Sequence, residues 1–472
     1  MPYINWVLVA LSLLFSAGTA LHALLYKRDP RASLGWIAVC LVFPVFGPLL
    51  YLLFGINRVR TKARKLETLK DGALESVRPD REETDPQPLV SDAYQGVQRI
   101  SDAVTGLPLV RGNQVDVLHN GEQAYPAMLQ AIESARRRVF LSTYIFESNR
   151  TGQRFIDALD AAASRGVDVR VILDGIGELY SLPLAGRLLA KRGVRVARFL
   201  PPWRNPLTLA LNLRNHRKIL VADTSVAFTG GMNIGDRHLA ADRANPARVV
   251  DVHFRFQGPV AAQLEAAFLN DWSFCTGGSD EPDSPAAPAG EARCRAIMDG
   301  PNHEINRLAL IIEGAVSAAR SRIAIMTPYF LPSRDLIASL NAASLRGVDV
   351  AVILPEKNNL PFVKWASRNL LWELLERGVR VYEQPAPFAH SKIFLVDDLY
   401  TMVGSANIDN RSMRLNFEFG VEVYDRGLAG ELSGHFENVR ARSREVTLEE
   451  VDTRSLPVRL RDAVCWLFTP YL

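Results

Sequence analysis

The chain opens with two long apolar runs and then changes character. Residues 4–26, "INWVLVALSLLFSAGTALHALLY", and residues 34–54, "LGWIAVCLVFPVFGPLLYLLF", contain no Asp, Glu, Lys or Arg. Each is close to the roughly 20 residues that cross a hydrocarbon layer as a helix, so two transmembrane helices are predicted in an anchor over residues 1–57. A cleavable signal is disfavoured, because no basic region precedes the first run and a second run follows closely. Pro44, Gly47 and Pro48 predict that the second run bends or re-enters.

Past the anchor the pattern alternates between helical and strand periods. An amphipathic helix over 127–137 leads into a strand over 139–145, a helix over 152–165 leads into a strand over 167–173, and the order recurs from Ile312 onward. This predicts an α/β class with a mostly parallel or mixed sheet between helices. The charged, proline-rich tract "VRPDREETDPQPLVSD" (77–92) marks a linker over 58–110, and "GGSDEPDSPAAPAGEA" (277–292) a flexible linker over 277–293. Two segments remain, 111–276 and 294–472.

These segments repeat one another. "LNLRNHRKILVAD" (211–223) places His216, Lys218 and Asp223 at the spacing of His390, Lys392 and Asp397 in "AHSKIFLVDD" (389–398), 174 positions later. At the same offset "GGMN" (230–233) aligns with "GSAN" (404–407), and upstream "RGVDVRVIL" (165–173) matches "RGVDVAVIL" (346–354). "STYIF" (142–146) resembles "MTPYF" (326–330). A duplication predicts two lobes facing each other across one cleft.

Composition sharpens this picture. Of 55 cations only nine are lysines, so a lysine entering an apolar strand in both repeats stands out, and a charged group there needs a partner or a task. The four cysteines, Cys40, Cys275, Cys294 and Cys465, have no metal-ligand or disulfide-framework spacing and suit a reducing compartment. Lys27, Arg28 and Arg31 lie between the spans and Arg58, Arg60, Lys62, Arg64 and Lys65 behind them, which favours a cytoplasmic C-terminal part.

Strand alternation puts His216 with Lys218, and His390 with Lys392, on one face. Two imidazoles and two ammonium groups converging on a cleft suit a phosphoryl group: the lysines neutralise its charge, and Asn233 and Asn407 can donate to its oxygens. One imidazole attacks phosphorus while the other protonates the leaving alkoxide and then activates an incoming alcohol, a covalent phosphohistidine route. It requires no metal or cofactor, and no carboxylate cluster suited to a metal stands out. Asp223 and Asp397 complete the six candidate catalytic positions, but their odd spacing takes them off the His/Lys face and favours tethering a turn.

The doubled H-x-K-x4-D motif resembles the phospholipase D superfamily. With the two N-terminal spans and "FTGGMNIGD", "TPYFLP" and "GSANIDNRSMRLNFE", the chain is similar to bacterial membrane-anchored cardiolipin synthases over nearly its whole length. Asn359 and the pair Tyr400 and Thr401 depart from that family's usual residues, away from the motifs. The resemblance implies two duplicated phospholipase D-like α/β/α lobes sharing an active-site cleft, and condensation of two phosphatidylglycerol molecules into cardiolipin with release of glycerol. It implies His216 as nucleophile and His390 as acid and base, with Asp251 in "VVDVHF" serving His216 and Glu418 in "NFE" serving His390. It also implies the bacterial cytoplasmic membrane as the location and phospholipid as the partner.

Two rival readings are a hydrolase using water as acceptor and a membrane scaffold with decayed sites. The intact His, Lys and Asn pairs argue against decay, and the spans argue against a nucleic-acid polymer as partner. Two further stretches have apolar character. Pro201, Pro202, Trp203 and residues 207–213 would form an acyl-facing lip or core, and residues 456–472 would form an interfacial anchor or pack on the second lobe.

Overall fold

The computed structural model describes residues 2–27, 30–55, 73, 77, 90–202, 213–278, 280–301 and 304–469. The cations from Arg58 to Lys65, the lip at Trp203 and residues 207–212, and Tyr471 lie outside the described residues. Residues 1–65 and 66–472 form two separate units.

In the first unit, helix Pro2–Tyr26 includes an apolar stretch, Trp6–Tyr26, long enough to cross a bilayer. The second predicted span is not one helix. It runs as Pro30–Val42, breaks around Phe43 to Val45, and resumes as Phe46–Leu50 and a π turn over Tyr51–Gly55. The 13-residue piece reaches only about 20 Å at 1.5 Å per residue, short of a hydrocarbon layer. The break falls at the predicted proline, because Pro44 cannot continue the helical hydrogen-bond ladder. The pieces pack back on the first helix through small residues, Ala20 and Ala23 against Cys40, with Ser16 donating to the Cys40 carbonyl and Ser33 to that of Ala23.

The second unit is built on one continuous 15-stranded sheet and a separate two-stranded one. Its first half uses β1 (Val110–His119), β2 (Arg138–Thr143), β3 (Asp168–Asp174), β4 (Arg195–Phe199), β5 (Ile219–Ala222), β6 (Val226–Gly230), β7 (Val249–Val250) and β8 (Val252–Gln257). The second half uses β9 (Ala292–Asp299), β10 (Arg322–Met326), β11 (Asp349–Pro355), β12 (Arg380–Gln384), β13 (Phe388–Ala389), β14 (Ile393–Val396), β15 (Tyr400–Gly404), β16 (Glu418–Tyr424) and β17 (Arg444–Val446). The 15-stranded order is β17-β12-β11-β10-β14-β15-β16-β9-β1-β8-β6-β5-β2-β3-β4. Read outward from the central antiparallel β9–β1 pair, each first-lobe strand has its duplicate at the same rank, and β17 is one extra edge strand. The lobes are therefore joined edge to edge by backbone hydrogen bonds as well as across a cleft.

Local chemistry explains why the repeats fold alike. Helices Arg150–Ser164 and Arg334–Leu345 start at Asn149 and Ser333, whose side chains accept from Gly152 and Leu336 amides, and stop before Gly166 and Gly347 at φ 87° and 91°. Each chain then enters a parallel strand, β3 or β11, whose apolar residues are buried between helix layers.

Two expected linkers are more ordered than their composition suggests. Within 58–110, residues Gln95–Thr105 form an amphipathic helix preceded by buried Tyr94, which donates to the Val396 carbonyl and joins the second-lobe core with Val97. The apolar spacing of Val97, Ile100 and Val104 was masked by the charged tract before it. The tract 277–293 has no regular structure before β9, yet Asp283 pairs with Arg137 and Arg138 at 2.8 Å each, and Asp280 with Arg170. Its acids pin it to the first lobe.

Candidate active site

The two halves of the site are threaded through each other. Residues leading into β5 bridge the second lobe, His216 N–H donating to the Phe417 carbonyl at 2.9 Å and Phe417 N–H to that of Arg214 at 2.8 Å. Reciprocally, β13 pairs with β7, and His390 N–H donates to the Val250 carbonyl at 2.8 Å. Each histidine thus enters beside the strand that carries the other lobe's carboxylate. His216 Nδ1 lies 3.0 Å from Glu418 Oε2, and His390 Nδ1 lies 2.8 Å from Asp251 Oδ2. The expected pairing of Asp251 with His216 and Glu418 with His390 is corrected: the carboxylates cross.

Both motifs lie in extended lead-ins to β5 and β14, and not inside the strands themselves. The period of two still holds there, since Lys218 Nζ returns to the His216 carbonyl at 2.8 Å and Lys392 Nζ to that of His390 at 2.7 Å. Each carboxylate takes the Nδ1 side of its ring, which leaves Nε2 on the far side, and the two histidine side chains are 13% and 12% exposed. Tyr144 sits edge-on to His216 at 5.3 Å between centroids, and Phe388 lies 5.9 Å from His390.

Burial sets the electrostatics. It pushes His216 below the ordinary imidazole value, opposed by Glu418 and reinforced by Lys218, and holds His390 well below, reinforced by both lysines. It lowers Lys218 to about 7 and Lys392 to about 8. The two carboxylates differ. Burial acts to raise both, but His216, Lys218 and the Ser405 hydroxyl outweigh it at Glu418, whereas Asp251 stays raised. Glu418 accepts from Ser405 Oγ at 2.6 Å and Asn416 Nδ2 at 3.0 Å. The duplicate of Ser405 is Gly231, where a Cβ would stand 2.6 Å from both Asp251 oxygens, so the first lobe has room for the carboxylate but no hydroxyl for it.

Asp223 and Asp397 face away from this chemistry. Asp223 accepts the backbone N–H groups of Arg136, Arg137 and Arg138 at 2.8–2.9 Å, and Asp397 those of Arg320, Ser321 and Arg322, plus Tyr94 Oη at 3.1 Å. Both sit at positive φ, 52° and 54°, in tight turns. Their place among the catalytic candidates is corrected: they staple the turn after the motif strand to the start of its neighbour. The amide bonds hold Asp223 below the usual carboxylate range against burial, so its contribution is present above that range and lost as acid protonates it. Asp223→Ala is expected to lower unfolding stability by about 1–3 kcal/mol at neutral pH, with the deficit shrinking in acid, measured by denaturant titration.

Asn233 and Asn407 follow the glycine kinks at Gly230 and Gly404, φ 151° and 156°, where a Cβ at 404 would lie 2.1 Å from the Phe419 carbonyl oxygen. Asn233 Oδ1 accepts from Ile145 N–H at 3.1 Å, leaving its amide nitrogen to donate. Asn233 N–H donates to His238 Nε2, and Asn407 N–H to Ser412 Oγ, at duplicate positions.

Several residues of the site carried no sequence signal of their own role. Arg217, between His216 and Lys218, is fully buried on the opposite face, paired with Asp271 at 2.8 Å and Glu304 at 2.6 Å while donating to the carbonyls of Glu418 and Asp299. It ties the lobes together behind the site. Ser405 and Asn416 stand inside quoted motifs, yet only the fold shows them around Glu418. Among the described residues no group of three or more His, Cys, Asp or Glu side chains is placed to hold a metal ion.

The family model described as "Cardiolipin synthase, PLD-like domain" matches residues 128–272 and 312–440, and that described as "Phospholipase_D-nuclease N-terminal" matches 6–55. The major cardiolipin synthase ClsA of Bacillus subtilis (strain 168) is 32% identical over 463 residues, covering 94% of this chain and 95% of its own. Cardiolipin synthase A of Serratia proteamaculans (strain 568) is 31% identical and covers 99% of both chains. The crystal structure of phosphatidylserine synthase from Haemophilus influenzae Rd KW20 shares the fold, with TM-score 0.62 at 15% identity over 81% of this chain and 100% of that one. Duplicated lobes, doubled motifs and relatives matched from end to end agree: the chain belongs to the cardiolipin synthase family of phospholipase D-like proteins.

Proposed function

We propose that this enzyme transfers a phosphatidyl group from one phosphatidylglycerol to another, giving cardiolipin and glycerol. The observation that carries the reading is the reciprocal crossing of Glu418 and Asp251, in which each histidine rests on the other lobe's carboxylate. His216 Nε2 attacks the phosphorus of the donor, forming a P–N bond as the glycerol C–O–P bond breaks at phosphorus. His390 gives the departing alkoxide its proton. His390 then takes a proton from a glycerol hydroxyl of the second lipid, whose oxygen attacks phosphorus and releases His216. Lys218, Lys392, Asn233 and Asn407 neutralise and hold the phosphoryl oxygens. Lys218 and Lys392 balance Glu418 and Asp251, two cations against two anions, so an arriving phosphodiester supplies the negative charge that lets His390 hold its proton. Tyr144, Tyr180, Tyr329 and Phe388 around the rings favour a lipid hydroxyl over water as acceptor.

The N-terminal unit holds the enzyme in the bacterial cytoplasmic membrane through its membrane-length helix, and the cations flanking the two apolar runs support a cytoplasmic catalytic part. The test is to supply the purified protein with labelled phosphatidylglycerol in liposomes: cardiolipin plus glycerol is expected, and phosphatidic acid as the main product would refute the transfer.

The lysines predict an alkaline limb. They act as cations, so kcat/KM is expected to fall as pH rises through about 7 to 8, where burial has placed Lys218 and Lys392. The kcat limb lies at higher pH, because bound phosphate favours the ammonium forms. A pH–rate profile checks this, and a flat kcat/KM across the neutral and alkaline range would contradict it.

A further inference from the structure

The C-terminal helix Leu456–Trp466 is built inside out. Its inward face holds Asp462, fully buried and paired with Arg454 at 2.6 Å and Arg461 at 2.7 Å. Its outward face carries Leu456, Leu460 and Val464, a stripe continued by Leu467 and Phe468 in the turn that follows, with Leu456, Leu460 and Leu467 76%, 63% and 67% exposed. On the first lobe, Leu179, Tyr180 and Leu182 form a second outward apolar patch, Leu182 being 80% exposed. Both lead to the catalytic rings. Trp466 and Tyr329 pack against the same buried cluster of Leu331, Val363, Ala366 and Leu370, and Tyr329 lies 6.5 Å from Phe388, the neighbour of His390, while Tyr180 lies 6.1 Å from Tyr144 beside His216. Thr469, just past the helix, accepts from Asn410 Nδ2, three residues after Asn407.

We propose that these two patches are a bilayer-docking rim: the outward face of the C-terminal helix and residues 179–182 enter the acyl region and seat the mouth of the site on the lipid surface. The proposal rests on the reading that the site acts on membrane lipid. An exposed apolar stripe over a buried ion pair is the reverse of a helix made for water, and contiguous exposed apolar surface marks an interaction site. The occupant is the bilayer because the chain carries its own membrane-length helix, Trp6–Tyr26, and exposed Arg459 at the edge of the stripe suits anionic head groups. A second copy seated there would cap the route that the aromatic rings line toward both histidines.

The test places the photoreactive residue p-benzoylphenylalanine at Leu460, and separately at Leu182, in the full-length protein in phosphatidylglycerol-containing nanodiscs. Lipid adducts at both positions are expected, and adducts to a second copy, or none with lipid, would overturn the proposal. A second measurement uses Leu460→Ser/Leu467→Ser. Turnover of bilayer phosphatidylglycerol is expected to fall about tenfold, while that of monomeric dihexanoyl phosphatidylglycerol stays within about twofold of the parent. Equal retention on both substrates would overturn it. Adduct formation is read without reference to product, so failure of the docking rim and failure of the cardiolipin reading are told apart.

Discussion

His216→Ala and His390→Ala are each expected to lower cardiolipin formation by roughly a thousandfold or more, because one removes the covalent route and the other the proton carrier. The two losses have different cures. A phosphatidyl donor whose leaving group is as acidic as p-nitrophenol departs without a proton. With that donor, His390→Ala is expected to recover release of the leaving group, whereas His216→Ala stays inert because nothing attacks phosphorus. Rapid-mix release of p-nitrophenol reads the distinction directly. Recovery in His216→Ala and not in His390→Ala would reverse the assigned roles, and near-normal turnover in either variant would refute the shared site.

Glu418→Gln and Asp251→Asn are expected to cost about a hundredfold each in turnover. A buried hydrogen bond to a charged partner is worth about 1.5–3 kcal/mol, and roughly 1.4 kcal/mol is a factor of ten in rate. Both are positioning residues that act through an imidazole, so their behaviour follows the ring they hold. Asp251→Asn is expected to be rescued by the p-nitrophenyl donor like His390→Ala, and Glu418→Gln to resist rescue like His216→Ala. If each lobe orients its own histidine, the pattern inverts. The thermal midpoint of Asp251→Asn serves as a control on folding, since Gly231 leaves space around that side chain.

This inversion marks where the sequence stopped being readable. The duplication, the motif spacing and the helix–strand order are local or periodic features, and they predicted the two lobes and the paired His, Lys and Asn positions. Which carboxylate meets which ring depends on residues more than 130 positions apart, His390 with Asp251 and His216 with Glu418, and on the short β13–β7 pair that no periodicity announces. Near-symmetry made the simpler, self-contained pairing look natural. The same limit hid the Gln95–Thr105 helix, whose apolar face covers the second lobe, whereas the prolines and glycine of the second apolar run announced that it bends or re-enters, and it breaks there.

Asymmetry between the lobes also emerged only in three dimensions. Ser405 and Gly231 are duplicates in sequence, yet one donates to Glu418 and the other makes room for Asp251. His216 therefore rests on a carboxylate held ionised by several donors, and His390 on one that burial has raised. That difference supports His216 as the ring that carries the phosphatidyl group, since a firmly anionic partner best stabilises the charge its imidazole acquires.

The most direct measurement of the central claim is a structure of the enzyme with orthovanadate, which mimics phosphorus under attack. The account predicts a single vanadium between His216 Nε2 and His390 Nε2, with Lys218 and Lys392 at its other oxygens and the Glu418 and Asp251 contacts retained. Vanadium bound to one ring alone, with the other imidazole out of reach, would contradict it.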